Sequence, residues 1–151
     1  GPHSFDPLDD YPVFCIPAAE GVVKDPGSLG IVLGGSGNGE QMAANKVKGV
    51  RAALAWSIET AKLAREHNNA NVLSLGARLL TDKEAITAVE KWLNEPFSND
   101  ERHARRLEKI KNIILISSLS LFFFYLIFVP LLELILTLFE IITFCSPLDK
   151  L

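Results

Sequence analysis

Three short apolar runs, each followed by a stretch of helical character, constrain the fold of this chain more than any other feature. Leu29 to Leu33, Arg51 to Trp56 and Asn71 to Leu75 have the length and composition of buried strands. Ahead of the first run, Val13, Ile16, Ala19 and Val23 fall close to one helical stripe, which predicts a helix over Tyr11 to Lys24. Ser57 is placed to cap a helix running to His67. Thr81-Asp82-Lys83-Glu84 reads as a capping box opening a helix to about Asn94, which Pro96 ends. Ser98 or Asn99 then caps a final basic helix through at least Lys111. Helix, strand, helix, strand, helix, strand, helix, helix implies a parallel sheet covered on both faces. Right-handed crossovers make that a three-layer α/β/α, Rossmann-like fold.

Between the first strand and its helix lies Gly34-Gly35-Ser36-Gly37-Asn38-Gly39-Glu40-Gln41. Its glycines allow positive φ and close backbone approach, and unpaired amides at the helix start would face an anion or a polarised oxygen lying over the loop. Spacing alone leaves the loop ambiguous, because it lacks the Lys-Ser/Thr ending of a P-loop and a glycine-rich turn is commonly just a tight turn.

With 151 residues, 48% of them apolar, the chain can form one core, and its net charge of −3 disfavours a nucleic-acid partner. The basic residues between Arg102 and Lys111 read as one solvated helix face. Two cysteines, Cys15 and Cys145, have neither metal-ligand spacing nor a neighbouring histidine. That excludes a disulfide framework and makes Cys15 a buried inert thiol. No N-terminal signal peptide is visible, so a cytoplasmic location is expected. From Ile113 to Pro130 there is no charged residue, and from Leu131 to Leu148 only Glu133 and Glu140 interrupt the apolar sequence. Such a length reaches the ~17–25 residues that span a bilayer. Membrane association is therefore expected only through the tail over residues 113–148.

Asp9-Asp10-Tyr11-Pro12, Pro26-Gly27-Ser28-Leu29-Gly30, the glycine loop, Ala43-Ala44-Asn45-Lys46, Ala64 to Asn71 and Arg102-His103-Ala104-Arg105-Arg106 occur in one order. Together they resemble the type B ribose-5-phosphate isomerases, within the ribose/galactose phosphate isomerase family, from about Gly1 to about Ile110. The closest branch has Glu at the position of Glu40, whereas another uses cysteine at the position of Gly34. Members of the family begin with a further strand and helix carrying an Asp-His pair, and nothing here corresponds to that unit. The expectation is a chain that reads as a fragment, inactive as it stands. Residues 1–111 would form the isomerase domain, and 112–151 an apolar helical tail that reads as a membrane segment or, preferably, as translated intron.

The resemblance implies that Glu40 shuttles a proton between C2 and C1 of the sugar, where the residue alone would merely favour a helix dipole. Ser36 and the amides of Gly35, Gly37, Asn38 and Gly39 would donate to enediolate oxygens. His67 would open the sugar ring, with Asn68 beside it on a substrate hydroxyl, although a histidine near a helix end is equally a cap. Arg78, Arg102 and Arg106 are the phosphate ligands by resemblance; without it they are surface charges. Tyr11 and His103 are weaker site members, and Lys46 is a structural ion-pair partner. His67 ends a helix at the edge opposite the glycine loop, so the family's dimer, with shared active sites, is expected.

The resemblance implies a metal-independent, cofactor-free aldose–ketose isomerase acting on a phosphorylated sugar, ribose 5-phosphate to ribulose 5-phosphate. Isomerases of galactose 6-phosphate or a tetrulose phosphate are alternatives, and so is an inactive sugar-phosphate-binding or membrane-tethered remnant.

Overall fold

The computed structural model describes residues 1–4, 6–112, 126, 130, 131 and 133. Seven elements follow one another in the alternation that the sequence predicts. They are α1 (Pro12–Lys24), β1 (Gly30–Gly34), α2 (Asn38–Ala44), β2 (Ala52–Ala55), α3 (Ile58–Asn68), β3 (Val72–Gly76) and α4 (Asp82–Asn94). An eighth, α5, covers 101–112.

Two of these helices begin as their sequences dictate. Ser57 Oγ accepts from the Thr60 amide while the Thr60 side chain receives the Ser57 amide, and Thr81 makes the same reciprocal arrangement with Glu84. The two Thr81 hydrogen bonds hold the Glu84 carboxyl below the usual carboxylate range. The start of α5 differs from expectation. Asn99 takes a positive φ of 55° and Ser98 Oγ accepts from the Asp100 amide, so the chain turns at 98–99 and becomes helical only at 101.

The sheet is parallel with strand order β1-β3-β2, and Gly34 pairs with Gly76 at its far end. Side chains alternate between faces along each strand. Val32, Ala52 and Val72 point one way and pack with Cys15, Ala19 and Val22 of α1 and Ala43 and Ala44 of α2. Leu73, Leu75 and Ala55 point the other way and pack with Ala61 and Ala64 of α3 and Ala88 and Trp92 of α4. Two cores on two faces make the three-layer α/β/α arrangement, in which β3 is buried along its whole length. Edge strand β1 is covered on one face only, with Ile31 and Leu33 exposed on the other.

Because all three strands run the same way, their C-terminal ends share one edge. Gly34, the Trp56-Ser57 turn and the loop after Gly76 lie there. α3 returns from that edge, so His67 and Asn68 reach the opposite one.

Two compact units are present, Gly1–His103 and Ala104–Leu151. The apolar tail expected over 113–148 lies largely outside the described residues. No helix among the described residues is long and apolar enough to cross a membrane. Lys46 is exposed and makes no ion pair among the described residues, contrary to the expectation that it has an ionic partner.

Candidate active site

The glycine loop brings three functional groups onto backbone that has no side chains of its own. Glu40, in the first turn of α2, is buried, and its carboxylate lies against Gly34 so closely that any Cβ at position 34 would overlap it. Burial first, and the negative charge of Glu40 second, push the Cys15 thiol up from its ordinary range. The carboxylate therefore lies between the loop and α1, and Cys15 is the inert buried thiol expected. The Arg78 guanidinium covers Gly35, where an added Cβ would sit 3.3 Å from its Cζ. The Tyr11 ring covers Gly39, with the hydroxyl 2.6 Å from a would-be Cβ.

Local chemistry fixes this arrangement. Gly37 adopts φ +78° as the N-cap of α2, and a Cβ there would strike Leu54 and the Leu75 backbone, so only glycine fits. Its carbonyl receives the Gln41 amide at 3.0 Å and the hydroxyl of Ser74 at 2.6 Å. Beyond the strand ends, the Ala77 amide donates to Gly34 and the Arg78 amide to Gly35. These two bonds extend the β1–β3 ladder and set Arg78 beside the loop. Ser36 is exposed, and its Oγ accepts from the Asn38 amide at 3.3 Å. One of the donors that the sequence reading assigns to substrate is thus engaged within the loop.

A second cluster forms at the opposite sheet edge. The His67 ring lies 4.2 Å, centre to centre, from that of His103, at a tilt of 41°. His103 is buried, with Nδ1 2.9 Å from Ser98 Oγ and 4.0 Å from Asp100 Oδ2. The Glu66 carboxylate is 3.2 Å from Lys62 Nζ and 3.9 Å from His67 Nε2. Arg51 Nε and Nη2 both donate to the carbonyl of Asn69, the left-handed cap of α3, and Arg65 Nη1 donates to Asn69 Oδ1 and to Ala70. Cations at a helix C-terminus complement its dipole. Burial, and then the neighbouring Arg65, lower the Arg51 guanidinium from its ordinary value. Asn68 is exposed beside this clamp, and Arg102 is exposed beside His103. Arg106 falls in the second unit.

Within one copy, then, Tyr11, Ser36, Glu40 and Arg78 gather at one edge, and His67, Asn68 and His103 at the other. A five-residue strand separates the edges by on the order of 13 Å. Ser74 and the Arg51–Arg65 clamp have no role in the sequence-based expectations, and Ser98 is expected only as a cap. Ser74 alone leaves a signal, a hydroxyl in the middle of an otherwise apolar strand. Among the described residues no group of three His, Cys, Asp or Glu has the geometry to hold a metal ion.

Residues 1–110 match the sequence pattern of the family described as Ribose/Galactose Isomerase. The ribose-5-phosphate isomerase B of Mycobacterium leprae is 60% identical over 108 residues, covering 72% of this chain and 67% of the relative. A Mycobacterium tuberculosis relative of the same name is 60% identical over 104 residues, covering 69% of this chain and 64% of the relative. The chain thus spans about two thirds of the length of these mycobacterial relatives. A crystal structure of ribose-5-phosphate isomerase B from Mycoplasma genitalium with bound ribulose-5-phosphate superposes with a TM-score of 0.71 at 50% identity, covering 75% of this chain and 74% of the other. The type B enzyme of Trypanosoma cruzi gives a TM-score of 0.74 at 41% identity, with 78% and 76% covered.

Proposed function

This chain belongs to the ribose/galactose isomerase family, and from that premise we propose that it interconverts ribose 5-phosphate and ribulose 5-phosphate through an enediolate. The observation that carries the proposal is the buried Glu40 carboxylate seated over a glycine that has no room for a side chain. Aldose–ketose isomerisation requires a base that reaches an acidic C–H, and a loop without side chains lets a sugar carbon approach that base closely. The relative with bound ribulose-5-phosphate supports a phosphorylated sugar as the substrate class.

Each group then has one task. Glu40 takes the C2 proton of the aldose and, after exchange with solvent at the enediolate stage, returns a proton to C1 to give the ketose. The Ser36 hydroxyl and the amides of Gly35, Gly37, Asn38 and Gly39 stabilise charge on the enediolate oxygens, an effect worth roughly 3 kcal/mol per donor in other enzymes. Tyr11 bounds the site over Gly39. His67 opens the sugar ring with Asn68 on a hydroxyl, and Arg78, Arg102 and Arg106 hold the phosphate bidentately. His103 supports His67.

Glu40 and His67 lie at opposite edges of one sheet, so a complete site takes one edge from each of two copies. A homodimer or higher oligomer with shared sites follows. All of this chemistry falls within residues 1–111, and the cytoplasm is the proposed location.

The test is a comparison of substrates by the purified protein. Formation of ribulose 5-phosphate from ribose 5-phosphate, with slower turnover of galactose 6-phosphate and of a tetrulose phosphate, supports this reading. Faster turnover of either alternative sugar reassigns the substrate. Binding of ribose 5-phosphate without conversion identifies a sugar-phosphate-binding remnant or a fragment inactive as it stands.

A further inference from the structure

We infer that Ser98 is a positioning residue for the isomerisation, acting through the His103 imidazole to hold the ring of His67 in one orientation. The inference rests on the proposed role of His67 as the ring-opening group.

Ser98 is joined to both sides of the cluster. Its amide donates to the carbonyl of Glu66 at 2.9 Å, which ties the turn after α4 to the last turn of α3, one residue before His67. Its hydroxyl lies 2.9 Å from His103 Nδ1 and accepts the Asp100 amide at 3.3 Å. The buried ring so held is the one that lies 4.2 Å from His67.

His67 needs such help. Its side chain is about one third exposed, and the torsion that turns an imidazole is broad and roughly two-fold, so an unsupported ring would sample orientations that point the reacting nitrogen away. The nearest carboxylate, that of Glu66, is 3.9 Å from Nε2 and is already paired with Lys62 at 3.2 Å. It is too distant to fix the ring by a hydrogen bond. Contact with a neighbouring ring fixes orientation only if that ring is itself fixed. The Ser98 hydroxyl meets that condition at Nδ1, while the Ser98 amide keeps hydroxyl and α3 in one frame. The left-handed turn at Asn99 aims the hydroxyl and starts α5, which places His103 one turn later.

The test uses the full chain with Ser98→Ala, Ser98→Thr and His67→Ala, read by turnover of ribose 5-phosphate and by imidazole 15N spectra. Ser98→Ala should lower kcat roughly ten- to a hundredfold, the scale for a misplaced acid/base group. KM should stay unchanged, and the His67 and His103 signals should both move. Ser98→Thr retains the hydroxyl and should restore kcat and the spectra, and Ser98→Cys serves in place of Ala if the Ala variant fails to fold. Parental kcat with unmoved His67 signals in Ser98→Ala overturns the inference. A loss matched by Ser98→Thr also overturns it, since that assigns Ser98 to packing alone. Parental turnover by His67→Ala instead refutes the ring-opening role. Inactive His67→Ala beside fully active Ser98→Ala refutes only the positioning by Ser98.

Discussion

Replacing Gly34 with alanine should separate stability from catalysis, because the two depend on different atoms at this position. Gly34 closes β1, pairs with Gly76 and lies outside the left-handed region, so its backbone accepts a side chain without strain. Reduced freedom of the unfolded chain would even stabilise the variant by about 0.4–1 kcal/mol. Against that, the new methyl would overlap the Glu40 carboxylate and its Cδ, both at the free end of a flexible side chain. Overpacking of this kind costs about 1–3 kcal/mol when a rigid core must yield, and a yielding carboxylate places the expected loss at the lower end. Catalysis cannot yield in the same way. A displacement of about 1 Å at a reacting group costs roughly a hundredfold, or about 2.7 kcal/mol of barrier. The assay is a thermal melt and a kcat for Gly34→Ala, repeated in a Glu40→Ala background where the methyl meets no carboxylate. The stability loss should vanish in that background while activity stays absent. Parental kcat in Gly34→Ala, or an equal stability loss in both backgrounds, would refute the placement of Glu40.

Gly37→Ala should destabilise the protein by at least the roughly 1–2 kcal/mol that a left-handed conformation costs an alanine, because its Cβ also meets Leu54 and the Leu75 backbone; an unchanged melting temperature would contradict the N-cap geometry. Arg78→Ala and Arg102→Ala should each weaken binding by about 1.5–3 kcal/mol, the value of a lost charged hydrogen bond, with little change in kcat. Unaltered inhibition by a phosphorylated sugar acid would remove either arginine from the phosphate site. Mixing inactive Glu40→Gln and His67→Ala chains should restore part of the activity if one site draws on two copies. Mixed dimers that form and stay inactive would place the whole site in a single copy.

The local features of this fold are legible in the sequence, and the pairings across it are not. Thr81 and Glu84 are three residues apart and Ser57 adjoins its helix, so both caps follow from local chemistry. The partner of Ser57, however, is Thr60 and not an acidic residue, which the usual capping pattern does not suggest. Glycines 34, 37 and 39 announce a tight loop, but which of them faces a carboxylate, a left-handed turn or a tyrosine depends on α1 and β3 packing around them. The stacking of His67 on His103 joins residues separated by β3, α4 and their connecting turns. Ser98 reads as a helix cap because serine commonly is one, yet its bonds run to Glu66 and His103 as well as to Asp100. The convergence of Arg51 and Arg65 on the Asn69 cap joins residues that no local pattern pairs.

Deuterium incorporation tests the central claim, that Glu40 carries the proton, most directly. Parent and Glu40→Gln proteins would be incubated with ribose 5-phosphate in deuterium oxide, and carbon-bound deuterium read by NMR, with inhibition by a phosphorylated sugar acid confirming that both bind. Incorporation is expected from the parent and none from Glu40→Gln at retained affinity. Incorporation by Glu40→Gln at the parental rate would show that another group is the base.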